Sequence, residues 1–175
     1  PADIAVLKLC AETSFALNDF SAAEEYVGRV LQQAPNDLDY VLFRARILAG
    51  RGDYIRAASL LDVYARQDTS SRAYLLLRAR LQYEWSKNFA AASETIERAL
   101  SLYPNDLDVL LFAARLASST SAPLAGFTAE EFAKRALEID PANTEAKRYE
   151  IDGLMHDGKW KSAYDSSKAL VASSE

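Results

Sequence analysis

One cysteine, one histidine and one methionine stand in 175 residues. Cys10, being alone, can form no disulfide within the chain, which excludes a disulfide-built scaffold and leaves the compartment open. His156, being alone, allows no metal site built on paired histidines. No phosphate-cradling glycine loop is present. No apolar run is long enough to span a bilayer, and no Asn is followed two residues on by Ser or Thr. Blocks of like charge are missing too, and the net charge of −5 opposes the basic footprint of a nucleic-acid binder. The sequence starts at Pro1 rather than Met, as expected of a processed or excised piece, and carries no signal-peptide pattern. These features leave the location open between a bacterial cell envelope or periplasm and the cytoplasm.

What the chain has instead is repetition. Phe43-Arg44-Ala45-Arg46 returns as Leu77-Arg78-Ala79-Arg80 and fades into Phe112-Ala113-Ala114-Arg115. Ala45 and Ala79 are 34 residues apart, and Ala79 and Ala114 are 35 apart. Asn18-Asp19-Phe20, Gly52-Asp53-Tyr54, Lys87-Asn88-Phe89 and Gly158-Lys159-Trp160 keep the same interval, and an alanine follows each aromatic by three: Ala23, Ala57, Ala92, Ala163. Pro-Asn-Asp-Leu-Asp occurs at 35–39 and again at 104–108. A period of this length is the mark of a solenoid, in which one small unit stacks on copies of itself.

Each unit reads as two helices and a tight turn. Ile4, Leu7, Ala11 and Phe15 recur at helical spacing, Asn18-Asp19 breaks the pattern, and a second helix carries Ala22, Ala23, Tyr26, Val27, Val30 and Leu31 up to Pro35. Ser21 with Glu24, and Thr128 with Glu131, have the spacing of capping boxes. Gly52 and Gly158 suit a left-handed turn that other residues resist. Phe20, Tyr54, Phe89 and Trp160 are expected to fill the space beside the turn, with Phe127 taking that part in the fourth unit. About three extra residues enter the turn there, in the Ser-rich stretch around Pro123. The last helix is expected to cap the stack, whereas Ile4, Val6, Leu7 and Leu9 crowd the first helix with few polar neighbours, as expected of a helix covered either by missing upstream sequence or by a second copy of the protein. Cys10 reads as a small core residue and His156 as a solvated turn residue.

On these residues the chain resembles a tetratricopeptide repeat protein. The family's small residue, its Gly-Asp-Tyr turn, the following alanine and the closing Ala-Leu then Pro are matched most fully by Gly52-Asp53-Tyr54, Ala57, Ala99-Leu100, Pro104, Ala136-Leu137 and Pro141. The first-helix Trp of the family is absent, with Val41 and Leu75 near its place. The resemblance implies an all-α fold: an alpha-solenoid of about five antiparallel helix pairs in a right-handed superhelix. It implies one repeat domain over 1–175, with repeats at roughly 3–36, 37–70, 71–105, 106–142 and 143–175.

The resemblance further implies that the first helix of each pair lines a concave wall. Reading one residue past each small position gives Glu12, Arg46, Arg80, Arg115 and Asp152. One turn earlier come Lys8, Leu42, Leu76, Leu111 and Arg148, and one turn later Phe15, Ala49, Tyr83, Ser118 and Met155. An arginine column beside a leucine column suits a polypeptide bearing carboxylates and apolar side chains. The alternative is that Asp39, Asp108 and Glu145 pair with these arginines and brace neighbouring repeats. Some family members clamp the C-terminal carboxylate of heat-shock chaperones. Here Lys8 matches the first clamp residue, but Glu12, Phe43, Ala73 and Leu77 replace the others, so no such clamp is implied.

The function expected is therefore a non-enzymatic protein-interaction module that binds a partner polypeptide in its groove. Its sites are Lys8, Glu12, Phe15, Leu42, Arg46, Leu76, Arg80, Tyr83, Leu111, Arg115 and Arg148, with no catalytic residue, no metal and no cofactor. Neither nucleic acid nor a transmembrane segment is expected. Two alternatives remain: a self-associating subunit of a larger assembly joined through the N-terminal helix, and a binder of small molecules or lipid.

Overall fold

The computed structural model describes residues 2–172. Pro1, with its processed-start reading, and residues 173–175 of the last repeat lie outside the described residues. Ten helices run through the described chain: α1 (Ile4–Ala16), α2 (Phe20–Gln33), α3 (Leu38–Gly50), α4 (Tyr54–Tyr64), α5 (Arg72–Glu84), α6 (Phe89–Leu102), α7 (Leu107–Thr120), α8 (Ala129–Ile139), α9 (Thr144–His156) and α10 (Trp160–Ala172). Among the described residues there is no strand, only an isolated antiparallel bridge between Leu124 and Phe127. None of these helices is long and apolar enough to cross a membrane. The fold is an all-α helical solenoid of paired helices.

The repeated words have local causes. At the turns, Asn18 (φ 59°), Gly52 (φ 80°), Lys87 (φ 52°) and Gly158 (φ 73°) all take the left-handed conformation. Glycine adopts it freely and Asn tolerates it, while Lys87 pays about 1–2 kcal/mol for its Cβ. The following residue then caps the second helix. Asp19, Asp53 and Asn88 accept from the backbone N–H of Ala22 (3.0 Å), Arg56 (3.3 Å) and Ala91 (3.1 Å). The cap of α2 is thus Asp19, not the Ser21–Glu24 box, because the helix already starts at Phe20 and Glu24 is committed to an ion pair with Arg44. The box at Thr128 and Glu131 is formed, and its backbone bond to Thr128 holds the Glu131 carboxyl below the usual range. After each Pro-Asn or similar break, Asp37, Asp106 and Asn143 cap the next helix through Tyr40, Val109 and Ala146.

The chain divides into two compact units, residues 1–81 and 82–175. In the first, Leu7, Ala11, Ala23, Val27, Val30, Tyr40 and Ile47 form one buried cluster, with Phe15, Phe20 and Phe43 packed against it. Leu48 and Leu61 are buried as well, and the rings of Tyr64 and Tyr74 stack with centroids 5.6 Å apart. In the second, Phe132, Ile96, Leu110, Leu116 and Val109 are fully buried among Ala92, Ala99, Ala113, Ala114, Ala133 and Ala136. Each large apolar side chain so buried contributes roughly 1.5–3 kcal/mol.

Four expectations change. Phe132, not Phe127, fills the fourth pair; Phe127 is 42% exposed, beside Phe132 at 5.7 Å and under the Arg135 guanidinium. Trp160 is 67% exposed and fills no space at its turn. Along α10 only Ala163 is buried while Tyr164 and Val171 stay exposed, so the helix presents an apolar outer face and does not act as a polar cap. Cys10 is half-buried, not part of the core.

Candidate functional wall on the first helices

In the first unit, α1, α3 and α5 carry Lys8, Glu12, Phe15, Leu42, Arg46, Leu76 and Arg80. Lys8 Nζ donates to Asp37 Oδ2 at 2.8 Å and lies 4.4 Å from the Tyr40 ring centroid. That hydrogen bond, against the opposing effect of burial, holds the Asp37 carboxyl below its usual range. The Tyr40 hydroxyl donates to Glu12 at 2.7 Å; burial and then this carboxylate push the phenol pKa up. Lys8 and Glu12 thus tie α1 to the start of α3. The guanidinium of Arg46 lies over the ring of Phe15 at 5.0 Å and near that of Phe43 at 5.9 Å. Phe15 in turn meets Phe20 and Phe43 edge-on at 5.6 and 5.2 Å. This is a cation resting on an aromatic ledge. Arg80 is exposed and Leu76 is half-buried. Leu42 is only 5% exposed and adds nothing to the wall's surface, because α3 is covered on more than one side.

In the second unit, Tyr83, Leu111 and Arg115 are half-buried and Arg148 is exposed. Tyr83 packs edge-on against Phe89 at 5.3 Å and Phe112 at 6.0 Å. Arg115 Nη2 donates to Glu145 Oε1 at 2.8 Å, its Nε donates to the Tyr149 hydroxyl at 3.3 Å, and Glu84 stands 3.6 Å away. Burial alone pulls the Arg115 pKa down, but Tyr149 and Glu145 reverse it and leave it raised. Arg115 is therefore the brace between helix pairs, with Glu145 as the partner expected from the sequence. The Arg148 guanidinium sits 5.5 Å from the Tyr149 ring, and among the described residues no carboxylate pairs with it. Arg115, Thr144, Glu145, Arg148 and Leu170 line an open cavity of about 550 Å³.

Other ionic contacts escaped the sequence reading. Arg44 Nε and Nη2 both donate to Glu24 Oε1, at 3.0 and 2.8 Å, and Arg78 pairs with Asp62 at 2.8 Å. The available signal was the other arginine of the Arg-Ala-Arg word, which points to the preceding helix pair. Among the described residues no cluster of His, Cys, Asp and Glu could hold a metal ion.

Comparison with known proteins places this geometry. The tetratricopeptide repeat model matches residues 14–81. No curated protein sequence matches significantly. Among solved structures, the crystal structure of MamA is 18% identical, with 93% of this chain and 92% of that one covered at a TM-score of 0.71. MamA from Desulfovibrio magneticus is 15% identical over 97% of this chain and 93% of that one, with a TM-score of 0.72. A tetratricopeptide repeat protein from Parabacteroides merdae is 16% identical over 97% of this chain and 66% of that one, also at 0.72. Residues 14–81 thus match the tetratricopeptide repeat model, and the fold over nearly the whole chain is like that of these solved repeat structures.

Proposed function

We propose that the protein is a non-enzymatic scaffold that holds a partner polypeptide against the first helices of its second unit, with a like surface on the first helices of its first unit. The tetratricopeptide fold supports a protein-interaction role. The observation that carries the finer reading is the open cavity of the second unit, where Arg148, Arg115 and Leu170 line the same recess. Among the described residues no carboxylate engages the Arg148 guanidinium, Thr144 offers a hydroxyl, and Leu170 adds an apolar side chain to the lining. A segment with an acidic side chain next to an apolar one matches that set. On the first unit, Arg46 above Phe15 offers the same pairing of cation and apolar ring. Arg115 is a bracing residue in this reading and not a primary contact.

The test is fluorescence anisotropy with a panel of labelled acidic-amphipathic peptides, each beside a charge-reversed control. Arg148→Glu should weaken binding about tenfold or more, the loss of one charge-assisted contact, with circular dichroism and melting unchanged. Binding indifferent to Arg148→Glu and Arg46→Glu together would rule this wall out.

A further inference from the structure

We infer that the recess of the second unit takes a singly charged carboxylate and turns away a phosphate, and that Glu145 is the residue that makes this distinction. The inference rests on the reading of that recess as a partner-binding surface and adds the charge of its guest.

Two guanidiniums line the recess, those of Arg115 and Arg148, together with the Glu145 carboxylate, the Thr144 hydroxyl and Leu170. The two arginines differ electrically. Arg115 donates to Glu145 Oε1 at 2.8 Å and has Glu84 3.6 Å away, so two carboxylates face one guanidinium and cancel its pull on a third anion. Arg148 lies 5.5 Å from the Tyr149 ring and meets no carboxylate among the described residues. Lys147 and Lys168, the nearest lysines in sequence, are not among the lining residues. The recess therefore works with the charge of one guanidinium.

Helical spacing fixes what stands beside that charge. Thr144 lies four residues before Arg148 on α9 and Glu145 three before it, so all three share one face. An anion drawn to Arg148 lies beside Glu145 as well. Attraction to a site grows in proportion to the charge of the guest, whereas the cost of removing it from water grows with the square of that charge. A carboxylate brings one charge and two oxygens that match the guanidinium fork. A phosphoryl group brings about −1.5 to −2 charges, so its desolvation costs roughly two to four times as much while its surplus charge meets Glu145. A site built for phosphate would set a second arginine against it, and here that arginine is committed to Glu145. Phosphorylation of a partner within this contact would accordingly release it.

The test uses two labelled peptides that differ at one position, glutamate or phosphoserine, beside an apolar residue. At fixed ionic strength, fluorescence anisotropy should show the parent protein binding the glutamate peptide about threefold or more tighter. Glu145→Gln, of the same size, should reverse the order, with phosphoserine gaining about tenfold relative to glutamate. Circular dichroism should be unchanged. Tighter binding of phosphoserine by the parent protein would overturn the inference, as would a Glu145→Gln effect equal for both peptides. A second measurement needs no peptide: the Arg148 side-chain Nε–H resonance, followed by nuclear magnetic resonance during titration with acetate or with inorganic phosphate. In the parent protein acetate should move it further, and in Glu145→Gln phosphate should. Acetate preferred in this way while neither peptide binds would support the charge selection and strike the partner reading alone. Phosphate moving the resonance as far as acetate in the parent protein, or neither ion moving it, would overturn the selection itself.

Discussion

Arg115 is held at once by Glu145, Tyr149 and Glu84, with about a third of its side chain in solvent. Solvent screening limits what such a pair contributes. A double-mutant cycle of Arg115→Ala and Glu145→Ala, read by urea unfolding, should return a coupling of about 0–1 kcal/mol. Asp37 gives a pH-dependent counterpart. Its folded pKa is depressed, chiefly by the Lys8 hydrogen bond, so the stabilisation is present above the ordinary Asp value of about 4 and is lost as pH falls through the folded value. Lys8→Met should lower stability at neutral pH, and the gap to the parent protein should shrink toward zero on acidification. A gap constant from pH 6 to pH 2, by about any measure of melting, would count against this assignment. At this scale the sequence placed the charged residues on the right helices without separating braces from contacts. The spacing of Arg46, Arg80 and Arg115 is one pattern. What distinguishes Arg115 is Tyr149, which comes from the next helix pair and is visible only once the two helices are packed.

The helices themselves were legible because their punctuation is local. An aromatic after an acidic or amide residue, an alanine three further on, and a closing proline set α2 and α6 nearly to the residue, while α4 lacks the proline and α8 and α10 lack the acidic or amide residue before the aromatic. The misplaced cap of α2 shows where local reading stops: Ser21 and Glu24 have a valid spacing, but Asp19 lies next to the left-handed Asn18 and takes the cap first. Thr128 has no such competitor, and Thr128→Ala should cost about 0.5–2 kcal/mol in chemical denaturation. The α8–α9 junction is sensitive in another way. Gly153 faces the Cβ of Glu130 within a helix of ordinary conformation, so Gly153→Ala should lower stability by about 1–3 kcal/mol through crowding, despite the better helix propensity of alanine. In a double-mutant cycle of Gly153→Ala with Glu130→Gly the two losses should be less than additive, and strictly additive losses would place the strain elsewhere.

In a stacked-repeat molecule each pair rests on its neighbours, so damage should stay local. Leu61 is fully buried in the first unit, and Leu61→Ala should cost about 2–5 kcal/mol. Hydrogen exchange should then quicken most in α3, α4 and the start of α5, and least in α7 to α9. Equal quickening throughout would mean that the chain unfolds as one cooperative block. The period was readable at this scale, but the exposure of α10 was not. Its composition is that of any second helix, yet Trp160 and Tyr164 are exposed. Trp85 and Trp160 are the two tryptophans of the chain, and both belong to residues 82–175. Excitation at the red edge of the indole band therefore lights one half of the protein and leaves the other dark, so a native, unlabelled sample already reports on residues 82–175 alone.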